Sequence, residues 1–573
     1  MTPVASSGRH LPILARMHAP EMDAADRTTQ RCDVAILGGG LAGLTLAVQL
    51  HRQDPDLQIS VLERRSHPVP DAAFKVGEST VEIGAHYLAD VLGLREHLER
   101  EQIRKFGFRF FFSEGSHAIA GCTELGVSRL LPTPSWQIDR GRFENFLGQH
   151  ARVLGVSFLD GTIVRGIELS RAVEERQDAH RITYQHGEQI LDLHARWVVD
   201  ASGRAGLIKR KQSLARSNDH NVNAVWWRVD GVVDPQHWSD DIQWRTRCTP
   251  PDRWRSTNHL CGPGYWVWLI PLASGAHSIG IVCDAVMHPL ETMNTHARAM
   301  TWLRAHQPQL ADTLDRPEHA LRDFLFLRHF SYGCDQVFSE HRWALTGEAG
   351  LFLDPFYSPG TDFIAIANTY VCELIARDRA GLAFAQHAAL YQQLFFSFYD
   401  NTLTLYQDQY PLFGDAQVMP IKVIWDYTYY WAVLAPLFFA GKLTDLSLFG
   451  RLRPQLERAS ALNLAMQPLL RHWGERNRSA AAPSANGNDG RLLDQYQIGW
   501  FREMNRALAD QLDDAALLQR IADNVTRMRW LAQEILTRAH VQYPDIDGAA
   551  LTALISATEN QAVLTPQWYA DAA

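Results

Sequence analysis

Residues 33–37, Asp-Val-Ala-Ile-Leu, make a short apolar run of the length and composition of a buried strand. Glycines follow at 38, 40 and 43, and LTLAVQLHRQ (44–53) is then apolar at helical spacing. LQISVLERR (57–65) predicts a second strand that ends at Glu63. Further along, RKFGFRFFF (104–112) alternates. In a strand, Lys105, Gly107, Arg109 and Phe111 share one face, and Phe106, Phe108, Phe110 and Phe112 the other. An aromatic face against the core leaves Lys105 on the opposite face, lining a channel or simply solvated. Beyond about residue 380 the pattern becomes helical, over 382–410, 420–442, 449–473 and 492–540. RNRSAAAPSANGNDG (476–490) is polar and small-residue-rich and predicts an exposed, mobile loop. Residues 1–31 read as a flexible tail, and no internal repeat is present.

One apolar stretch, VIWDYTYYWAVLAPLFFAGKL (423–443), has about the length of a membrane span. Asp426, Pro436 and five Tyr and Trp residues interrupt it, so a buried or interfacial helix is expected, with loose peripheral membrane contact left open. LPILA (11–15) is too short for a signal peptide. At 573 residues the chain is long enough for two to four domains. A net charge of −9 with no long basic run argues against a nucleic-acid partner. Seven cysteines, at 32, 122, 248, 261, 283, 334 and 372, form no CxxC, which fits reduced thiols in a cytoplasmic protein and gives no metal site. The 17 Trp, 25 Phe and 16 Tyr fit either large aromatic cores or a pocket for a flat ligand.

The glycine cluster gains meaning from its setting. Strand, Gly38-x-Gly40-x-x-Gly43, helix and second strand make a βαβ unit, and Glu63 lies 20 residues after Gly43, where a ribose-binding acid is expected. Gly38 allows the tight turn, Gly40 the approach of a pyrophosphate, and Gly43 close helix–strand packing. The helix start adds free N–H groups and a positive dipole end. No second GxGxxG is present for a nicotinamide cofactor.

Three later segments resemble those of FAD-dependent monooxygenases. WQIDRGRFENFL (136–147) looks like the segment whose arginine, here Arg142, reaches the cofactor. WVVDASGR (197–204) looks like the strand and turn after the second half of the nucleotide domain. WALTGEAGLFLDP (343–355), with Gly347 and Asp354, resembles the segment that approaches the flavin ring and ribityl chain. The resemblance covers roughly 32–380. It implies an α/β fold: a Rossmann-type FAD-binding domain with an inserted β-sheet substrate region, then a mainly helical C-terminal region (381–573) covering the substrate.

Within that superfamily, FKVGEST (74–80) and WVWLIP (266–271) resemble the two signatures of flavin-dependent halogenases of the tryptophan-halogenase-like family. The resemblance puts Trp266 and Trp268 beside the flavin as structural residues. The family's catalytic lysine falls on Lys105, with Arg109 and Phe110 completing its string and Lys75 as the competing lysine. It implies that reduced flavin and O2 give a hydroperoxide that oxidises halide, and that Lys105 guides the hypohalous acid to the substrate. A desolvated lysine of lowered pKa suits that task.

The chain departs from the family at DPFYSPGTDF (354–363). Tyr357 stands where tryptophan halogenases carry a glutamate, and Pro359 where a threonine N–H holds the halide. Proline has no N–H, so Gly360, Thr361 and the matching Ser358 remain as halide-binding candidates. Asp354, Asp362 and Glu78 are nearby carboxylates that spacing alone does not place. The reading is FADH2-dependent chlorination or bromination of an electron-rich ring, phenolic or pyrrolic rather than free tryptophan. A separate flavin reductase would supply FADH2, and the substrate would be free or carrier-tethered. The alternative is an FAD monooxygenase on the same scaffold without halide chemistry. A third, non-enzymatic reading is a degenerate flavin-binding protein.

Overall fold

The computed structural model describes residues 29–71, 75–113, 118–170, 180–480 and 490–556. Most of the expected tail (1–28) and most of the expected loop (481–489) lie outside them. Thr29, Gln30 and Arg31 already belong to the first strand, Thr29–Leu37, and residues 476–479 close the helix Leu446–Ser479.

The apolar run becomes the middle of a seven-stranded sheet. Thr29–Leu37 pairs in parallel with Ile59–Leu62 on one side and Gln189–Asp200 on the other. Trp343–Leu345 adds in parallel beyond Gln189–Asp200. Val34, Ala35, Ile36 and Leu37 are all fully buried, as continuous apolar strands of a covered parallel sheet must be. The registers Leu37↔Leu62, Leu37↔Asp200 and Asp200↔Leu345 bring the strands' carboxyl ends to one edge. Ligands of open parallel sheets bind outside that edge.

A second, eight-stranded sheet carries the substrate region. Phe108–Phe112 pairs in parallel with Thr257–Gly262, which pairs antiparallel with Tyr265–Pro271. Alternation holds inside the strand: Phe108, Phe110 and Phe112 join the main core, and Phe111 joins a second core on the other face. It does not extend back to Lys105. The strand starts at Phe108, because Gly107 adopts a left-handed φ of +67° that turns the chain just before it. Lys105 therefore sits on a loop, and its burial has another cause than strand alternation.

Arg109 has a structural task. With Arg253 it flanks the fully buried Glu124, and its second guanidinium nitrogen donates to Val127 O at 2.7 Å. Burial alone acts to raise the Glu124 pKa, but the two guanidiniums outweigh it and the net direction is down. The sheet edge beyond Thr123–Gly126 is covered by Leu492–Asp494, a short parallel strand from the C-terminal third, where sequence periodicity reads helix.

The rest of that third is helical, with altered bounds. Helices run over Ala385–Leu403, Val418–Ala432, Leu434–Phe439, Leu446–Ser479 and Asp514–Gln542. The membrane-length stretch breaks at Val433, and among the described residues no helix is long and apolar enough to cross a membrane. We expect Glu124→Leu to cost about 3–5 kcal/mol in urea unfolding, because it leaves two buried guanidiniums unpaired. A loss below about 1 kcal/mol would show that the triad does not hold the sheet.

Candidate active site

The nucleotide cradle forms at the sheet's carboxyl edge. Gly38 has φ +118°, and a Cβ there would collide with Ala201 O. A Cβ on Gly43 would collide with Gly38 O, so both glycines are required by packing. Gly40 differs: a Cβ there would meet no backbone and would only touch Lys75 Nζ at 3.4 Å and Glu144 Oε1 at 3.9 Å. Glu63 sits at the end of the second strand, where its Oε2 accepts from Gly39 N at 2.7 Å and Oε1 from Arg65 N at 2.8 Å. Gly347 allows the turn after Trp343–Leu345 to approach Ala42, with only 2.9 Å between a Cβ there and that side chain.

These groups suit FAD. Backbone N–H groups and the helix start Leu41–Gln53 suit a pyrophosphate, Glu63 suits a ribose, and Lys75 with Arg140 adds positive charge beside Gly40. The arginine differs from the sequence expectation. Arg142 is exposed and donates to Ala273 O at 3.0 Å, away from the cradle. Arg140 donates to Val76 O at 2.7 Å and pairs with Glu144 at 2.6 Å, and Glu144 also binds Lys75. The i,i+4 spacing of Arg140 and Glu144 was the sequence signal for this choice.

Asp354 has a different job from cofactor contact. Oδ1 caps the turn Pro355–Tyr357 through Phe356 N at 2.9 Å, and Oδ2 accepts from His220 at 2.8 Å and Tyr410 at 2.6 Å. Tyr410 in turn accepts from Trp266 Nε1 at 3.1 Å. Trp268 donates to Ser278 Oγ at 3.1 Å, and both Trp rings are buried. Trp266 thus anchors the Asp354–Tyr357 turn, through Tyr410 and the Phe356 ring. Glu78 is held by Arg228 at 2.9 Å, so it is occupied as well.

Lys105 is buried, and KVGEST holds it. Its Nζ donates to Ser79 Oγ at 2.9 Å and to Thr80 O at 3.0 Å, and lies 3.4 Å above the Phe108 ring. Burial lowers its pKa to about 7, against the opposing pull of the Glu82 and Asp362 carboxylates. Glu82 follows KVGEST directly and accepts from Asn505 at 3.1 Å. Asp362 accepts from Gly84 N at 2.8 Å and from Tyr430 at 2.8 Å. Burial pushes both acids up, Asp362 to about 7. Glu82, Tyr430 and Asn505 carry no motif that marks them in the sequence.

Two cavities meet beside this lysine. A small one of about 20 Å³ is lined by Lys105, Glu82, Arg104 and Gln495 together with apolar Leu131 and Phe501. A larger one of about 110 Å³ is lined mainly by the helices after residue 385, with Tyr357, Pro359 and Asp362 at its wall. Val81, Phe108 and Tyr427 line both. Pro359 precedes the helix Gly360–Arg379 and accepts from Phe363 N at 3.0 Å. Ser358 N is committed to Pro355 O at 2.9 Å, so Gly360 and Thr361 supply the backbone donors at this helix start.

Residues 31–279 match the FAD-binding domain family model. The flavin-dependent halogenase chlA of Dictyostelium discoideum is 26% identical over 436 residues, covering 71% of this chain and 70% of that protein. Rdc2 of Metacordyceps chlamydosporia, a flavin-dependent halogenase, is 24% identical, and the match spans 57% of this chain and only 62% of that relative. A 1H-pyrrole-2-carbonyl-[peptidyl-carrier protein] chlorinase of Pseudomonas fluorescens is 25% identical over 57% of this chain and 72% of its own length. The structure of halogenase PltM with phloroglucinol and FAD superposes with a TM-score of 0.59 at 16% identity, covering 87% of this chain and 98% of that one. The chain is thus an FAD-binding enzyme of the monooxygenase-like fold. Within that class its relatives include flavin-dependent halogenases, to which it is similar at 23–26% identity.

Two substitutions test the cradle. Gly40→Val puts a side chain beside Lys75 and is expected to weaken FAD binding roughly tenfold or more, read by flavin fluorescence. Arg140→Ala is expected to weaken it by a similar factor, as loss of a charged hydrogen-bonding group does, while Arg142→Ala leaves it within about twofold. The reverse ranking of the two arginines would restore Arg142 to the cofactor.

Proposed function

We propose that the protein uses FADH2, delivered by a separate flavin reductase, with O2 and chloride or bromide to halogenate an electron-rich aromatic ring. A phenol or pyrrole, free or carrier-tethered, fits better than free tryptophan. The observation that carries this reading is the burial of Lys105 on Ser79 and Thr80, beside a small cavity that shares a wall with an aromatic-lined one. FAD, when bound and reduced, supplies the means to oxidise halide with O2.

The chain's own residues do the rest. An ammonium has three donors, and Ser79 and Thr80 take two of them. The third is free to hydrogen-bond and polarise an oxidised halogen species held in the small cavity. Gly360 and Thr361 N–H offer the helix-start donors for a halide, with no contribution from Pro359. The aromatic wall excludes water and orients the ring. Tyr357 fits an activated ring, which needs no glutamate base.

Pro359 favours one second reading: a monooxygenase on this scaffold, with the anion site closed. Product mass separates the two. Purified protein would be supplied with FAD, reductase, NADH, O2 and a panel of phenols, pyrroles and indoles, with bromide, chloride or neither. Bromine isotope doublets that require bromide support halogenation. A gain of one oxygen regardless of halide would select the monooxygenase.

Lys105→Ala is expected to abolish halogenation while FAD binding and peroxide release persist. Full halogenation by that variant would remove Lys105 from the mechanism. The ammonium is the working form in this reading. Because its pKa is lowered to about 7, the protonated fraction falls as pH rises through that value. The rate should then drop about tenfold per pH unit above it. A rate that rises through that window would assign the neutral amine instead.

A further inference from the structure

The larger cavity pairs phenols with carboxylates repeatedly. Tyr430 donates to Asp362 at 2.8 Å, Tyr357 to Asp426 at 2.8 Å, and Tyr410 to the neighbouring Asp354 at 2.6 Å. Tyr406 is the exception. It is buried and lines the cavity, yet its hydroxyl finds no hydrogen-bond partner among the described residues. Asp354, Asp426 and Asp362 all act on it electrostatically.

Two of those three acids each take three hydrogen bonds. Asp354 holds Phe356 N, His220 and Tyr410. Asp426 holds Tyr357, Lys422 and Gln467. Asp362 holds only Gly84 N and Tyr430, while a carboxylate offers about four lone-pair sites. Asp362 also lines the cavity. Buried polar groups are normally satisfied, so an unpartnered hydroxyl and an under-used acid on one cavity wall point to an occupant that supplies both bonds.

We propose that Asp362 and Tyr406 recognise a hydroxyl on the substrate ring, so that the cavity selects a phenol over a pyrrole. A phenol hydroxyl donates to Asp362 and accepts from Tyr406 at the same time. A pyrrole N–H only donates, and leaves Tyr406 unsatisfied. A methyl ether only accepts, and leaves Asp362 unused. The volume of about 110 Å³ is of the order that admits a benzene-sized ring. The burial that raises the Asp362 pKa to about 7 also strengthens any hydrogen bond made there. This inference rests on reading the cavity as the substrate site.

The test is ligand binding to the full chain loaded with oxidised FAD, by calorimetry. The probes are resorcinol, 1,3-dimethoxybenzene and pyrrole-2-carboxamide. Resorcinol is expected to bind about tenfold or more tightly than either of the others. Tyr406→Phe and Asp362→Asn should each erase most of that preference and leave dimethoxybenzene within about threefold of wild type. Tyr406→Phe removes a hydroxyl with no partner among the described residues, so it should keep its thermal stability and remain measurable even if Asp362→Asn fails to fold. Equal affinity for resorcinol and its ether would overturn the proposal. So would no saturable resorcinol binding up to about 10 mM, tightest binding of the pyrrole, or a preference that survives Tyr406→Phe. The assay uses no reductase, halide or turnover. Selective phenol binding without halogenated product would therefore count against the proposed reaction alone.

Discussion

One buried lysine, Lys105, draws several segments of the fold together. Removing Lys105 from water is costly, and the fold offsets that cost with Ser79 Oγ, Thr80 O, the Phe108 ring and the fields of Glu82 and Asp362. These groups come from three pieces of chain. Ser79 and Thr80 follow the nucleotide βαβ unit, Phe108 opens a strand of the second sheet, and Asp362 lies in the first turn of the helix Gly360–Arg379. The lysine can be stably buried only when all of them are in place, so it reports on the correct assembly of both sheets and the helix between the cavities.

The same logic separates buried groups that are closely matched from those that are less so. Arg109, Arg253, Arg228 and Glu124 are buried, and each is matched by opposite charge. Paired ions of this kind fix geometry. Lys105, Asp362 and Glu82 are less completely compensated, and burial shifts their proton affinities toward neutrality. Displaced proton affinity beside a cavity is a mark of chemistry.

The nucleotide half was readable in the sequence because its constraints are local. Gly38, Gly40, Gly43 and Glu63 occupy positions fixed by one turn, one helix and one strand, and the structure finds them at one sheet edge. Lys105 was identified by its string, but the alternation argument for its orientation fails at Gly107, where the backbone leaves the extended region. Arg140 and Arg142 lie two apart on one helix, and only the partner Glu144 distinguishes them. The wall of the larger cavity was not readable in detail. Tyr406, Tyr430 and Asp362 converge from segments tens of residues apart, and no short-range periodicity encodes that meeting. The strand Leu492–Asp494 was hidden for the same reason: three residues gain strand character only from the edge they cover.

That small strand bears on how the protein is made. On the ribosome, the edge at Thr123–Gly126 emerges several hundred residues before Leu492–Asp494, which seals it, and Asn505, the partner of Glu82, comes later still. The nascent flavin-binding half must therefore wait with an open, pairing-competent sheet edge and an incomplete lysine pocket. Ribosome stalling or C-terminal clipping before residue 492 would leave that edge open to edge-to-edge association. Its natural safeguard is the speed with which the last quarter of the polypeptide arrives.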